Sequence, residues 1–250
     1  MSAALQTFGL VKRFGGIAAT NDVTFTLQKG ARHALIGPNG AGKTTFVNLL
    51  TGVLRPTAGR IVLDDVDITG MKPEVLVRHG LARTFQINQL FPALSPLEAL
   101  TTAANEHHGV GRRAFRNLAA SGAVVHDVAQ VADRFGLTDV LGEHTATLPY
   151  GKQRLLEIAL AFTCRPRVLL LDEPAAGVPE SDRAEILAAV AELPRDVSVL
   201  LIEHDMDLVF RFAERISVLV DGTLLTEGTP DEVGRDPRVR AVYLGESRDG

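Results

Sequence analysis

Nine consecutive residues, Gly37-Pro38-Asn39-Gly40-Ala41-Gly42-Lys43-Thr44-Thr45, carry the residue types needed to grip phosphate. Glycines let the backbone curl tightly, so several N–H groups converge on one anion. An apolar run, Ala34-Leu35-Ile36, precedes the stretch, and a helical-looking segment, Phe46 to Leu50, follows it. That strand, loop and helix order is what a phosphate loop needs, because the positive end of the new helix faces the same anion. Lys43 can reach the β- and γ-phosphates of a nucleotide, and the Thr44 hydroxyl can ligate Mg²⁺.

A second stretch, Val168-Leu169-Leu170-Leu171-Asp172-Glu173-Pro174, sets two carboxylates behind four apolar residues. The apolar run reads as a strand buried on both faces, and ligands of open α/β sheets bind at carboxyl ends of strands. Paired acids there are costly unless a cation or a reaction needs them. Asp172 is expected to hold Mg²⁺ through its water shell and Glu173 to orient an attacking water; the alternative is an acidic helix N-cap. Val197 to Ile202 is another buried strand, ending in Glu203-His204-Asp205, so His204 either meets the same pocket and senses a γ-phosphate or is structural or solvent-facing. Phe14, just before Gly15-Gly16, either stacks on a base or packs in the core. Gln86, at the end of a strand candidate over 81–86, either faces the pocket or is solvated. The run His107 to Arg113 reads as a solvated loop, because adjacent histidines rarely share a metal and no acidic or cysteine ligand joins them.

Positioning these groups takes alternating elements. Leu5 to Phe14 and Val23 to Leu27 read as strands of an antiparallel edge; Val23, Phe25 and Leu27 alternate with polar residues. Arg60 to Thr69 is one more strand candidate, followed by a helix over 74–79. From about Leu97 to Leu148 the strand signals vanish, and Val124, Val128, Val131 and Phe135 recur at helical spacing. Leu148 opens a helix running to Phe162, and Ser181 to Leu193 forms another with Ile186, Leu187 and Val190 on one face. Ile216 to Leu225 reads as a hairpin across Asp221-Gly222, and the tail from Thr229 is helical in patches.

Composition fits this frame. With 250 residues, 46% hydrophobic and 22% charged, the chain can bury a substantial core. A net charge of −4 argues against a general affinity for nucleic acid. No apolar run approaches the roughly 18 residues that span a bilayer, and Met1 to Gln6 lacks the regions of a signal peptide. Cys164 is the single cysteine, which excludes an internal disulfide and suits a reducing compartment. A cytosolic location is expected.

Taken together, the motifs resemble those of the ATP-binding subunits of ABC transporters over nearly the whole chain. GPNGAGKTT at 37–45 resembles the Walker A loop and VLLLDE at 168–173 the Walker B strand. LPYGKQ at 148–153 stands where the ABC signature, usually LSGGQ, is found. The resemblance implies an α/β fold: a P-loop NTPase cassette with a RecA-like core, an antiparallel β subdomain and an inserted helical subdomain. It implies one domain over 1–250, with the core at about 1–90 and 155–230, the helical subdomain at about 91–154 and a tail at 231–250. By the same resemblance Phe14 is the adenine-stacking aromatic, Gln86 the Q-loop glutamine and His204 the switch histidine. Catalysis then falls to Glu173, His204, Gln86 and Lys43; Thr44, Gln86 and Asp172 serve Mg²⁺. ATP contacts include Gly37 to Thr45 and, from the signature, Pro149, Tyr150, Gly151, Lys152 and Gln153.

Finer text points to a subfamily. KRFGG at 12–16, EPAAGV at 173–178, IEHDM at 202–206 and VYLGE at 242–246 are similar to ATPases serving uptake of branched-chain amino acids, amides or urea. The ATPase of the lipopolysaccharide exporter is also similar, and a soluble ABC protein of DNA repair or translation is a rival, as is a nucleotide module that does not hydrolyse. The resemblance implies a second ATPase subunit, integral-membrane permease subunits and, indirectly, a solute-binding protein. It places the chain in the cytoplasm, on the inner face of the membrane through the permease, with no nucleic-acid partner. The Gln86 loop and the stretch Asn88 to Pro96 are expected to touch that permease. Two departures stand out: Pro149 replaces the signature serine, and Pro179 stands where an aspartate is usual after Walker B.

Overall fold

The computed structural model describes residues 2–84, 90–107 and 122–246, with side chains as far as Tyr243. In chain order the elements are β1 (Ala3–Phe14), β2 (Ile17–Gln28), β3 (Arg32–Ile36), α1 (Lys43–Leu50), β4 (Ala58–Leu63), β5 (Val66–Asp67), α2 (Pro73–Arg78), β6 (Leu81–Arg83), α3 (Pro96–His107) and α4 (Gly122–Arg134). They continue with α5 (Tyr150–Thr163), β7 (Val168–Asp172), α6 (Glu180–Ala191), β8 (Ser198–Ile202), α7 (Met206–Phe212), β9 (Arg215–Val220), β10 (Thr223–Gly228), α8 (Pro230–Arg235) and α9 (Pro237–Glu246).

These elements form two compact units. The first takes Met1–Leu81, Arg167–Glu173 and Pro194–Gly250; the second takes Ala82–Pro166 and Pro174–Leu193. In the first unit β2-β1-β4-β5 form an antiparallel sheet, as the alternation over Val23 to Leu27 leads one to expect. The strand expected over 60–69 is instead two strands around a turn. Asp64 and Asp65 sit at φ 44° and 65°, a left-handed pair that folds β5 back on β4, and aspartate tolerates it better than most residues.

The second sheet of this unit runs β10-β9-β3-β8-β7. β3, β8 and β7 are parallel neighbours, and all five residues of each are buried. That explains the apolar runs Val168 to Leu171 and Val199 to Ile202, since a strand covered on both faces has no solvent side to advertise, while in β3 the polar Arg32 and His33 are buried as well. Full burial of each Val, Leu or Ile contributes about 1.5–3 kcal/mol. Between the sheets Phe25 packs edge-on against Phe46 of α1 with centroids 5.7 Å apart, among Leu5, Leu27, Leu49 and Ile202. β9 and β10 turn on Asp221 and Gly222 at φ 47° and 74°, the expected two-residue hairpin.

The second unit is helical, with α5 packed against α3, α4 and α6. Val124, Val128, Val131 and Phe135 are all buried, as their spacing requires. Phe135 meets Phe162 of α5 edge-on at 5.7 Å. Among the described residues no helix is long and apolar enough to cross a membrane.

Candidate nucleotide site

Register decides where the chemistry collects. Ile202 of β8 pairs with Leu35 of β3 on one side and with Asp172 of β7 on the other. The residues just past this line are therefore Gly37 and its loop, Glu203-His204, and Glu173. Three sequence-distant motifs leave one sheet edge across three adjacent strands, a span of roughly 10 Å.

The loop after β3 is built for close approach of neighbouring main chain. Gly42 stands at the head of α1 at φ 98°, and a Cβ there would lie 2.3 Å from the carbonyl oxygen of Ala19. A Cβ on Gly37 would lie 2.1 Å from the Leu219 carbonyl oxygen. Glycine is obligatory at both by contact as well as conformation. No side chain caps α1 and no acid occupies its first turn, so its positive end is not neutralised from within. Pro38 is half-buried, Asn39 and Gly40 are exposed, and Ala41 is buried. Thr44 is exposed at the start of α1, with Thr45 half-buried beside it. Lys43 lays its ammonium over the loop, donating to the Gly37 carbonyl and to the Pro38 carbonyl at 3.0 Å. The loop is also stitched to its neighbours: Gly222 donates its N–H to Ala41 O at 2.9 Å, and Asn21 donates to Gly222 O at 2.7 Å. The Asp221-Gly222 turn is the one sign of these backbone links in the amino-acid sequence.

Asp172 closes β7 and is 5% exposed; it is the last strand residue, not a helix cap. Glu173 follows at φ 47°, a left-handed conformation costing a non-glycine residue about 1–2 kcal/mol. Its N–H is held by Ile202 O at 2.9 Å. Asp64, Asp65 and Asp221 take the same conformation at turns, whereas here it falls directly after a buried strand and makes Glu173 a candidate functional position. The turn sets Glu173 Oε1 3.5 Å from His204 Nδ1, the imidazole being 63% exposed and the carboxylate 21%. Glu203 is 1% exposed, and its Oε2 accepts the His204 backbone N–H at 3.2 Å and lies 3.8 Å from Nδ1. Asp205 caps α7 through the N–H groups of Asp207 and Leu208. The structure thus brings together Gly37 to Thr45, Asp172, Glu173 and His204, all in the first unit.

Phe14 closes β1 and is 49% exposed, with the Lys12 ammonium 5.1 Å from its ring centre. Full core packing is excluded for it. Gln86, and Asn88 and Gln89 of the stretch expected to meet a permease, lie outside the described residues; so do His108 to Arg113, while His107 closes α3. Mg²⁺ is the metal this site implies. Its donor set, a hydroxyl on Thr44 and a buried carboxylate on Asp172, consists of hard oxygens and fits that ion.

The signature residues belong to the second unit. Pro149 is the N-cap of α5 and offers no side-chain cap. Tyr150 donates its hydroxyl to Ala176 O at 3.3 Å, and the Arg154 guanidinium lies 5.3 Å from its ring centre. Gly151 is buried beside Asp182. Lys152 bonds Gly136 O at 2.7 Å and Glu185 at 3.1 Å, and Gln153 bonds Leu148 O at 2.9 Å.

Comparison with known proteins agrees with this geometry. The ABC transporter family profile matches residues 20–176, and that of the branched-chain amino acid ATP-binding cassette transporter matches 223–249. The chain is 39% identical to the high-affinity branched-chain amino acid transport ATP-binding protein BraF of Pseudomonas aeruginosa, over 97% of this chain and 98% of the relative. With LivG of Salmonella typhimurium, which bears the same description, identity is 40% over the same shares. Among solved structures, the ADP conformation of MJ1267, an ATP-binding cassette of an ABC transporter, superposes with a TM-score of 0.86 at 29% identity, covering 98% of this chain and 100% of that one. A nucleotide-free cassette from an ABC transporter gives 0.83 at 28% identity, over 97% and 99%. The expected P-loop NTPase cassette fold is therefore the fold observed, and the chain belongs to the ABC transporter ATP-binding family.

Proposed function

We propose that this chain is the ATP-hydrolysing subunit of a transporter that takes up branched-chain amino acids or closely related amino acids. The observation that carries the reading is the shared register at Ile202, which gathers a glycine-lined loop, an acid pair and a histidine on one sheet edge. Nucleotide phosphates rest on the N–H groups of Gly40 to Thr44 and on Lys43, whose charge is held at the mouth of the loop. Phe14 stacks on the base. Thr44, Asp172 and Gln86 hold Mg²⁺, which when bound neutralises phosphate charge as it builds up. Glu173 orients and deprotonates the attacking water, and His204 hydrogen-bonds the γ-phosphate. The solute class is taken from relatives such as BraF and LivG and from the match over 223–249.

In this reading 1–250 is one cassette domain, with a core at about 1–90 and 155–230, a helical subdomain at about 91–154 and a tail at 231–250. Two cassettes sandwich ATP head to tail, and residues 149–153 of one chain complete the site of the other. γ-Phosphate contacts offset the cost of closure, and hydrolysis releases them. The pair works in the cytoplasm against membrane permease subunits fed by a solute-binding protein. Purifying the native complex and measuring phosphate release with and without leucine in reconstituted vesicles tests this. Co-purification of a permease and solute-stimulated turnover are expected; a chain without affinity for MgATP would overturn the reading.

A further inference from the structure

Glu203 has no part in the chemistry above, yet it is a carboxylate 1% exposed at the carboxyl end of β8, between the strands that deliver the phosphate loop and Glu173. An ionised acid taken from water costs several kcal/mol unless neighbouring groups compensate. Here Oε2 meets two groups of one residue: it accepts the His204 backbone N–H at 3.2 Å and lies 3.8 Å from the ring Nδ1. The same Nδ1 lies 3.5 Å from Glu173 Oε1. His204 is 63% exposed in its side chain, so little packing holds the ring.

Resting on the nucleotide-site reading, we propose that Glu203 is a positioning residue that orients His204 for the γ-phosphate. Glu173 cannot both steer water and remain the fixed partner of Nδ1. Once it turns to water, the histidine needs a second acceptor that does not move. Glu203 fills that place: it is buried and anchored through the main chain of the residue it serves. It follows the general pattern in which a catalytic imidazole is oriented by a further carboxylate.

Steady-state ATP hydrolysis by the full chain tests this through a double-mutant cycle. Glu203→Ala is expected to lower kcat about tenfold, the usual weight of a charged hydrogen bond, with the KM for ATP changed less than twofold. Glu203→Gln, whose amide oxygen still accepts the N–H, is expected to retain more turnover. In a His204→Ala background either Glu203 change should cost nothing further in kcat, because the group it acts through is gone. A purely structural role would lower the melting temperature in both backgrounds and multiply the losses in kcat, which overturns the proposal. Full turnover of Glu203→Ala beside a crippled His204→Ala overturns it alone. Full turnover of His204→Ala overturns the nucleotide-site reading and this proposal with it. Should Glu203→Ala fail to fold, Glu203→Gln completes the cycle, and equal fractional losses with and without His204 refute the role.

Discussion

The Walker edge of the first unit and the signature end of α5 in the second unit are built to different tolerances. Along the Walker edge each motif leaves a fully buried strand, and the backbone itself fixes the geometry: Glu173 through Ile202 O, Ala41 through Gly222, Gly37 and Gly42 by contact with carbonyl oxygens. At the signature end, Tyr150 to Gln153 occupy the first turn of a helix whose N-cap is a proline. Side chains tie that turn down, through Tyr150 to Ala176 and Lys152 to Glu185. The glycine contacts at 37 and 42 admit no side chain, whereas the first turn of α5 is held by side-chain ties and accepts a proline as its N-cap.

Four of the changes below break one side of this contrast, and one sharpens it. The largest effect is expected from Glu173→Gln, which should cut phosphate release by about 10²-fold or more while MgATP binding survives, since general base catalysis contributes on that order. Nucleotide binding and release assays on one preparation check it. In a mixed dimer, this change should cost more turnover than its counterpart in the partner; equal losses refute an asymmetry arising from Pro149. Gly42→Ala should abolish binding itself, because its Cβ would lie 2.3 Å from Ala19 O at a φ that L-residues avoid. Isothermal titration with ATP reads it.

On the helical side, Arg154→Ala removes a close cation from Glu157, a pair 2.8 Å apart with side chains 4% and 10% exposed. Weakening the compensation of a buried charge is destabilising, so denaturant unfolding should show a loss of stability larger than that from an exposed pair, which Arg154→Met with Glu157→Met largely restores. By comparison the Lys152–Glu185 pair, with Glu185 54% exposed, should contribute under about 1 kcal/mol.

Acid should weaken the Walker unit through His33. This ring is buried on β3, bonded to Ser217 Oγ at 2.8 Å. Burial, with Arg215 adding and Glu227 opposing, pushes its pKa down to about 4. The fold therefore holds neutral imidazole while the unfolded chain takes up a proton below about pH 6.5. The stability involved is fully present above pH 6.5 and is lost as pH falls toward 4, by about 3 kcal/mol. Urea titrations at pH 7 and 4.5 should show a steeper fall for the native chain than for His33→Gln. The smallest effect sharpens the contrast: Pro149→Ser should supply the missing N-cap and stabilise α5 by about 1 kcal/mol. It should also raise turnover at the site this signature completes; unchanged turnover would mean that the hydroxyl is irrelevant.

Where local chemistry decides, the text was readable. Glycine spacing announced the phosphate loop, unbroken apolar runs announced β7 and β8, and Asp221-Gly222 announced the hairpin. The valine ladder at 124, 128 and 131 announced a buried helix face. Misreading began where two short elements share one apolar pattern. Arg60 to Thr69 is rich in β-branched and apolar residues on both sides of Asp64-Asp65, and the left-handed pair that folds it carries no glycine to betray it. Phe14 could not be placed either, because an aromatic before a glycine pair suits core and surface alike.

The amino-acid sequence by itself determined which residues can hold phosphate, bind a hard cation or move a proton, since those capacities belong to side chains and to the spacing of glycines. Only the tertiary structure decided that they meet. The pairing of Leu35 and Asp172 with the same Ile202 is a long-range register set by packing two fully buried strands beside a third. It likewise decided that Glu203 is buried against His204 while Glu173 stands half open, because burial depends on what lies across the sheet and no neighbour in the chain reports it.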